Sequence, residues 1–316
     1  MSGQRPTSLP DIVSAAQLAC LLEVSAPKPG NVCPGHRFHD MGIESFLESA
    51  VAIGEPLRRS ADCPLGRTIR AAIDATSRWS RANTNLGMVL LLAPLVRAAS
   101  RAVDGEGGTV TTSAFRRSVR QVLDETTVDD AREVYAAIRT ATPGGLGTAP
   151  EQDIARDPTM TLLEVMRLAA TGDDVAREYA TGFDITFTTA VPALAGARRD
   201  GLSWEDAIVE TFLVLLAARP DTHVRRRAGA DAAAAVSRQA AEALGAGGVR
   251  SEAGRRTIAA MDRALRGPTH LLNPGTTADL TTAGIFVVLA AGGWHDRMAA
   301  ATAATHGSGG RDARTR

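Results

Sequence analysis

Apolar positions in residues 9–24, LPDIVSAAQLACLLEV, recur at a spacing near 3.6 and predict a helix. Pro27 and Pro29 end it, because proline lacks an amide donor and restricts the residue before it. A polar loop then runs to Gly42. The same periodicity predicts helices over 43–52, about 65–80, 111–124, 128–141, 159–170, 174–181, 185–199, 203–218, 221–246, 251–266 and 278–291. Between them, GMVLLLAPLVRAASRAV (87–103) is apolar almost all round, the pattern of a central helix. Glycine-rich stretches at 104–108 and 143–147 interrupt the series. No run of alternating strands stands out, and no low-complexity linker or internal repeat divides the chain. The expectation is an all-α fold: a single multi-helix globular domain of ten or more helices over 1–300, with a disordered tail at 301–316.

Composition supports the helical reading, since Ala, Leu and Arg lose little on entering a helix. Apolar residues make up 44% of the 316, enough for a substantial core. The formal net charge is zero, so no global field favours nucleic acid or a membrane surface. The three cysteines, Cys20, Cys33 and Cys63, form no CxxC pattern and read as reduced thiols. No apolar run reaches membrane-span length, and the first residues lack a signal-peptide core. A cytoplasmic location is expected.

Rare residues change the picture. Lys28 is the only lysine among 35 basic residues. The four asparagines, Asn31, Asn83, Asn85 and Asn273, fall in short stretches rich in Gly, Pro or Thr: KPGNV, ANTNLG and LLNPGTTADL. In a chain depleted of Lys and Asn, the positions that keep them are expected to be chemically demanding. In KPGN an ammonium sits on a stiff turn, and Gly30 would let a ligand approach the backbone. Lysine is a compact point charge that suits a phosphate oxygen. The opposing reading is an ordinary solvated turn. If Lys28 binds phosphate, Lys28→Ala should fold almost normally and lose affinity for the phosphate-bearing ligand.

Asp40, Glu44 and Glu48 lie at i, i+4 and i+8, one face of a helix starting near Asp40, where they would hold a cation or form a solvated acidic face. Asp40 could also be an N-cap. His36 and His39 are three apart, but no further ligand at matching spacing supports a transition-metal site. Asn83, Thr84 and Asn85 precede the apolar helix, as caps or as donors to an anion or a ribose hydroxyl. Asn273, Thr276, Thr277 and Asp279 stand at another helix start. Asp221-Thr222 precedes Arg225, Arg226 and Arg227, which are either polyphosphate ligands or a solvated face. Glu23 lies one turn before KPGN, facing the same cleft or simply ending its helix. The set suits a metal-bound nucleotide. No Ser-His-Asp order, Rossmann fingerprint or Walker spacing competes with it.

KPGNV with a following DM, NTNLG before an apolar helix, DT before an arginine cluster, and NPGTTADL resemble the triphosphoribosyl-dephospho-CoA synthase family over roughly residues 12–292. TTVDDAREVYAAIRTATPGGLG, continuing to PEQD, resembles its stand-alone relatives. The resemblance implies an all-helical transferase. The 2′-hydroxyl of dephospho-CoA attacks C1′ of the ATP ribose, adenine leaves, and Mg²⁺ accompanies the triphosphate. It implies Glu23 and Asp40 as catalytic carboxylates, and Asp40, Glu44 and Asp279 as metal ligands. ATP binding would fall to Lys28, Gly30, Asn31, Asn83, Thr84, Asn85, Asp221, Asn273 and Thr276. The partners expected are ATP and a dephospho-CoA-like acceptor, with no nucleic acid and no membrane, and a homodimer as the one protein assembly entertained. Two departures bear on the acceptor: His39 abuts Asp40 where the family tends to His-x-Asp-Met, and NPGTTADL stands where its members read PGGSADL. The alternatives are a different acceptor in another cofactor pathway, water as acceptor (a glycohydrolase), or a non-catalytic ATP-binding helical protein.

Overall fold

Local signals set most helix boundaries. In the computed structural model, which describes residues 9–80, 84–105, 111–267 and 269–292, most helices are joined by short turns, longer loops run over 26–42 and 142–161, and no strand forms among those residues. They are α1 (Leu9–Ser25), α2 (Ile43–Ala52), α3 (Gly54–Arg58), α4 (Leu65–Ser77) and α5 (Leu86–Gly105). Next come α6 (Thr112–Asp124), α7 (Val128–Ala141), α8 (Leu162–Ala169), α9 (Asp174–Thr181) and α10 (Val191–Arg199). The last five are α11 (Trp204–Ala218), α12 (Thr222–Ala228), α13 (Ala230–Gly245), α14 (Glu252–Leu265) and α15 (Gly275–Ala290). The expected tail at 301–316 lies outside the described residues.

Side-chain oxygens start several helices by accepting amides that the first turn cannot satisfy internally. Thr127 with Asp130 and Thr161 with Glu164 form reciprocal capping boxes. Asp173 accepts from Val175 and Ala176 at the start of α9.

Two expectations need correction, and one short helix was not expected. The helix expected over 221–246 is two helices, because Gly229 takes φ 92° and ψ 168°, a conformation closed to other residues. The helix expected from 185 opens as a π turn, Thr186–Ala190. There the buried Glu178 carboxylate accepts from the Ile185 and Thr186 amides. Helix α3 was not legible in the periodicity, being only 5 residues long.

Helix α15 lies at the centre, packed against α1, α5, α11 and the π turn with α10. Gly284 permits the tight approach, since a Cβ there would lie 2.7 Å from Cβ of Ala190. From Thr276 to Ala290 every residue is buried except Asp279. Helix α5 is buried beside it as its apolar pattern predicts. The interruption at Asp279 positions the site.

Candidate active site

The loop after α1 is held from within. Lys28 is fully buried, and its ammonium lies 3.0 Å from Oε1 of Glu23. The same ammonium donates to the carbonyls of Glu23 and of Ala26, the latter at 3.0 Å. Three donors meet three acceptors, so Lys28 does not line the neighbouring cavity, and the expected phosphate contact is not where the structure places it. Gly30 is likewise a packing residue. Its φ is 74°, a Cβ would lie 2.9 Å from Cβ of Leu265, and its amide donates to Asp262. Asn31 turns back to the carbonyl of Pro29, while its own carbonyl accepts from Arg266.

A tight turn follows, with an isolated bridge between Cys33 and His36 around Gly35 at φ 81°. Helix α2 starts at Ile43 with Gly42 as N-cap, so Asp40 neither caps it nor shares a face with Glu44 and Glu48. Glu44 and Glu48 are exposed, and Glu44 lies 3.6 Å from Arg37. Among the described residues no three His, Cys, Asp or Glu side chains converge as a metal site. The set Asp40, Glu44 and Asp279 is therefore corrected: Glu44 belongs to the outer surface. His39 stacks toward His270, with ring centres 5.6 Å apart, and Phe38 stacks on His270 at 4.0 Å.

Before α5, Thr84 shares a 2.5 Å hydrogen bond with Ser49, and Asn85 donates to Thr76. Asn83 lies outside the described residues. At the C-terminal half, Asp221 joins two helix starts. One oxygen accepts from the Val224 amide at 2.9 Å, the other from the amide and hydroxyl of Thr277, both at 2.7 Å. This is a buried staple between α12 and α15 and not a ligand contact as expected. Thr276 accepts from Thr222. The arginine cluster is not a solvated face. Arg225 reaches the carbonyl of Thr171, Arg226 pairs with Asp173, and Arg227 holds the carbonyls of Thr269 and His270.

These elements enclose a polar cavity of about 360 Å³. Glu23, Asn31, Asp40, Thr84, Asn85, Asn273 and Asp279 reach its wall from both ends of the chain. Lys28, Gly30, Glu44, Asp221 and Thr276 do not. Sequence reasoning missed His223, Phe38 and His270 on the same wall. His223 stands between the DT pair and the arginine cluster, which was its only signal. Two wall atoms are buried without hydrogen-bond partners, Oδ1 of Asn273 and Nδ1 of His270. Polar atoms in that state point to a ligand or ordered water as their partner.

The electrostatics are those of a cleft. Burial pushes Asp279 well above the usual carboxylate range, and the charges of Glu23 and Asp221 add to the shift. No hydrogen bond or ion pair holds its carboxylate among the described residues. Burial also raises Glu23, and Lys28 opposes it. His223 is pushed down to about 4 by burial, then by Arg226 and Arg227, so its ring is neutral at pH 7. Gly87, in the first turn of α5, touches Asp279: a Cβ there would lie 2.0 Å from Oδ2.

Among the described residues, a central helix offers a carboxylate without a hydrogen-bond partner to a cleft of amides, hydroxyls and imidazoles, an arrangement that suits an all-helical enzyme. The family model described as ATP:dephospho-CoA triphosphoribosyl transferase matches residues 10–298, and the chain belongs to that family. A Vibrio cholerae serotype O1 (strain M66-2) protein, named as a probable 2-(5''-triphosphoribosyl)-3'-dephosphocoenzyme-A synthase, is 28% identical over 303 residues, covering 89% of each chain. A 2-(5''-triphosphoribosyl)-3'-dephosphocoenzyme-A synthase of Pectobacterium atrosepticum is 38% identical over 103 residues, 33% of this chain and 32% of its own. A solved structure from Archaeoglobus fulgidus, named for the same synthase, superposes with TM-score 0.61 at 28% identity, covering 79% of this chain and 99% of that one. No helix among the described residues is long and apolar enough to cross a membrane.

Proposed function

We propose that the polar cavity holds the ribose-triphosphate donor of a transfer from ATP to the 2′-hydroxyl of dephospho-CoA. The new bond joins the acceptor oxygen to C1′, and the bond from C1′ to adenine breaks. Adenine leaves with that electron pair and is protonated on departure. The hydroxyl proton goes to Asp279, whose carboxylate is made more basic by burial and has no hydrogen-bond partner among the described residues. Glu23 stabilises the oxocarbenium character that develops at an anomeric carbon. Asn273 and His270, with their unpartnered atoms, meet ribose or phosphate oxygens. Among the described residues, Arg227 brings a guanidinium to the wall.

The donor set fits a magnesium ion carried by the nucleotide, which needs one or two protein carboxylates and takes its other ligands from phosphate and water. Asp40, half-exposed at the cavity, is the side chain that would hold it, and the ion would supply charge neutralisation for the triphosphate.

One observation carries the reading: residues as distant as Glu23 and Asp279 line one cavity, and Asp279 has no hydrogen-bond partner there among the described residues. The test is incubation with ATP, Mg²⁺ and dephospho-CoA. Adenine released only with the acceptor supports transfer. Release without it identifies a glycohydrolase, and ATP binding without adenine identifies a non-catalytic nucleotide protein.

A further inference from the structure

A second cavity, about 790 Å³, adjoins the polar one. Leu86, Gly87, His223 and Asp279 line both, so they form the partition between the two spaces. Its chemistry differs. Leu90, Val134, Ile138, Val165 and Met166 supply apolar walls from α5, α7 and α8. The segment 142–161 closes over it. Tyr135 donates to the carbonyl of Gln152 and Arg139 to that of Ile154, tying this segment to α7. Such a space is far larger than packing voids in a protein interior and is of the size that takes a cofactor-sized ligand.

We propose that this second cavity receives the pantetheine arm of the acceptor, leaving the ribose end at the partition. The proposal rests on the transferase reading above and assigns the acceptor's arm a place of its own. A triphosphate would lose its hydration against these walls with little in return. The pantetheine arm has methylenes, a gem-dimethyl centre and two amides, which match an apolar wall with scattered polar groups. Arg226 also lines the cavity. One of its nitrogens pairs with Asp173, and its Nε is buried without a partner, which suits the diphosphate linking arm to nucleoside. An acceptor placed this way sets its 2′-hydroxyl beside Asp279, between donor and arm.

The test uses 4′-phosphopantetheine, which carries the arm without a ribose, and two substitutions at exposed positions on the wall, Ala169→Trp and Leu146→Asp. With the wild-type chain, 4′-phosphopantetheine should compete with dephospho-CoA and leave ATP binding unchanged. Each substitution should weaken dephospho-CoA binding at least ten-fold, with the Kd for ATP unchanged. Failure of 4′-phosphopantetheine to compete, or unaltered dephospho-CoA affinity in both variants, overturns the assignment. Adenine release by the wild-type chain is scored separately. If adenine is released while both variants bind dephospho-CoA normally, only the arm assignment falls. If none is released with dephospho-CoA, the transfer reading falls and takes this assignment with it.

Discussion

The ammonium of Lys28 and the carboxylate of Glu23 face each other at 3.0 Å, both buried, with Glu23 on the wall of the polar cavity and Lys28 behind it. The lysine pairs with a carboxylate on the cavity wall and pins two carbonyls of the loop. Removing one partner of a buried pair strands the other charge. Lys28→Ala should therefore lower folding stability by about 3–5 kcal/mol, read as a shift of the urea midpoint. This replaces the expectation of normal folding with lost ATP affinity. A variant as stable as the wild type would remove the structural role.

Gly87 and Asp279 make the second test. A Cβ on Gly87 would lie 2.0 Å from Oδ2 of Asp279, so Gly87→Ala must displace the carboxylate. Alanine is the better helix former by about 1 kcal/mol, so the fold should survive. Adenine release should fall on the order of 100-fold, as misplacement of a reacting group does. Asp279→Asn should fall at least as far. Wild-type turnover by Gly87→Ala would mean that this carboxylate does not act in the chemistry.

The depressed titration of His223 sets a pH dependence. Its pKa lies near 4 in the folded chain and near 6.5 when exposed to water. The unfolded chain therefore takes up the proton first. The stability tied to this ring is complete above pH 6.5 and is lost as pH falls toward 4. His223→Asn should lessen the acid-dependent loss between those values by an amount on the order of 1–3 kcal/mol, measured from denaturant curves across the range. Parallel curves for the two proteins would contradict a buried neutral ring.

Gly229 isolates backbone strain from packing. Nothing lies within 4 Å of where its Cβ would be, yet its φ is 92°. Gly229→Ala should destabilise by about 1–3 kcal/mol through conformation alone. Gly245→Ala, inside α13 and equally open, should instead stabilise by about 0.5–1 kcal/mol. Thermal melts of the pair separate the two effects. Equal shifts would show that the break between α12 and α13 is not held by the glycine.

Much of the fold was legible because helical periodicity and caps are local. Residues 43–52 and 128–141 match α2 and α7 at both ends, and Thr127 with Asp130 explains the second start. The helix expected over 221–246 failed at Gly229, since the pattern on either side is helical and only the backbone angle breaks it. Asn31, Asn85 and Asn273 were nameable from their rarity, Glu23 and Asp279 from their places beside KPGN and within NPGTTADL, and all five reach one cavity.

By itself the sequence determined an all-helical chain and a short set of polar residues at helix starts and stiff turns, because both are written in neighbouring positions. Tertiary structure alone decided which of those residues face the cavity. Lys28 and Asp221 have the same kind of signature as Asn273, yet the first neutralises Glu23 and the second staples two helix starts. Whether a polar side chain serves a ligand or the fold depends on what distant elements place opposite it. For Asp279 the packing of α15 brings no hydrogen-bond partner among the described residues, and that follows from how helices meet, which no local pattern encodes.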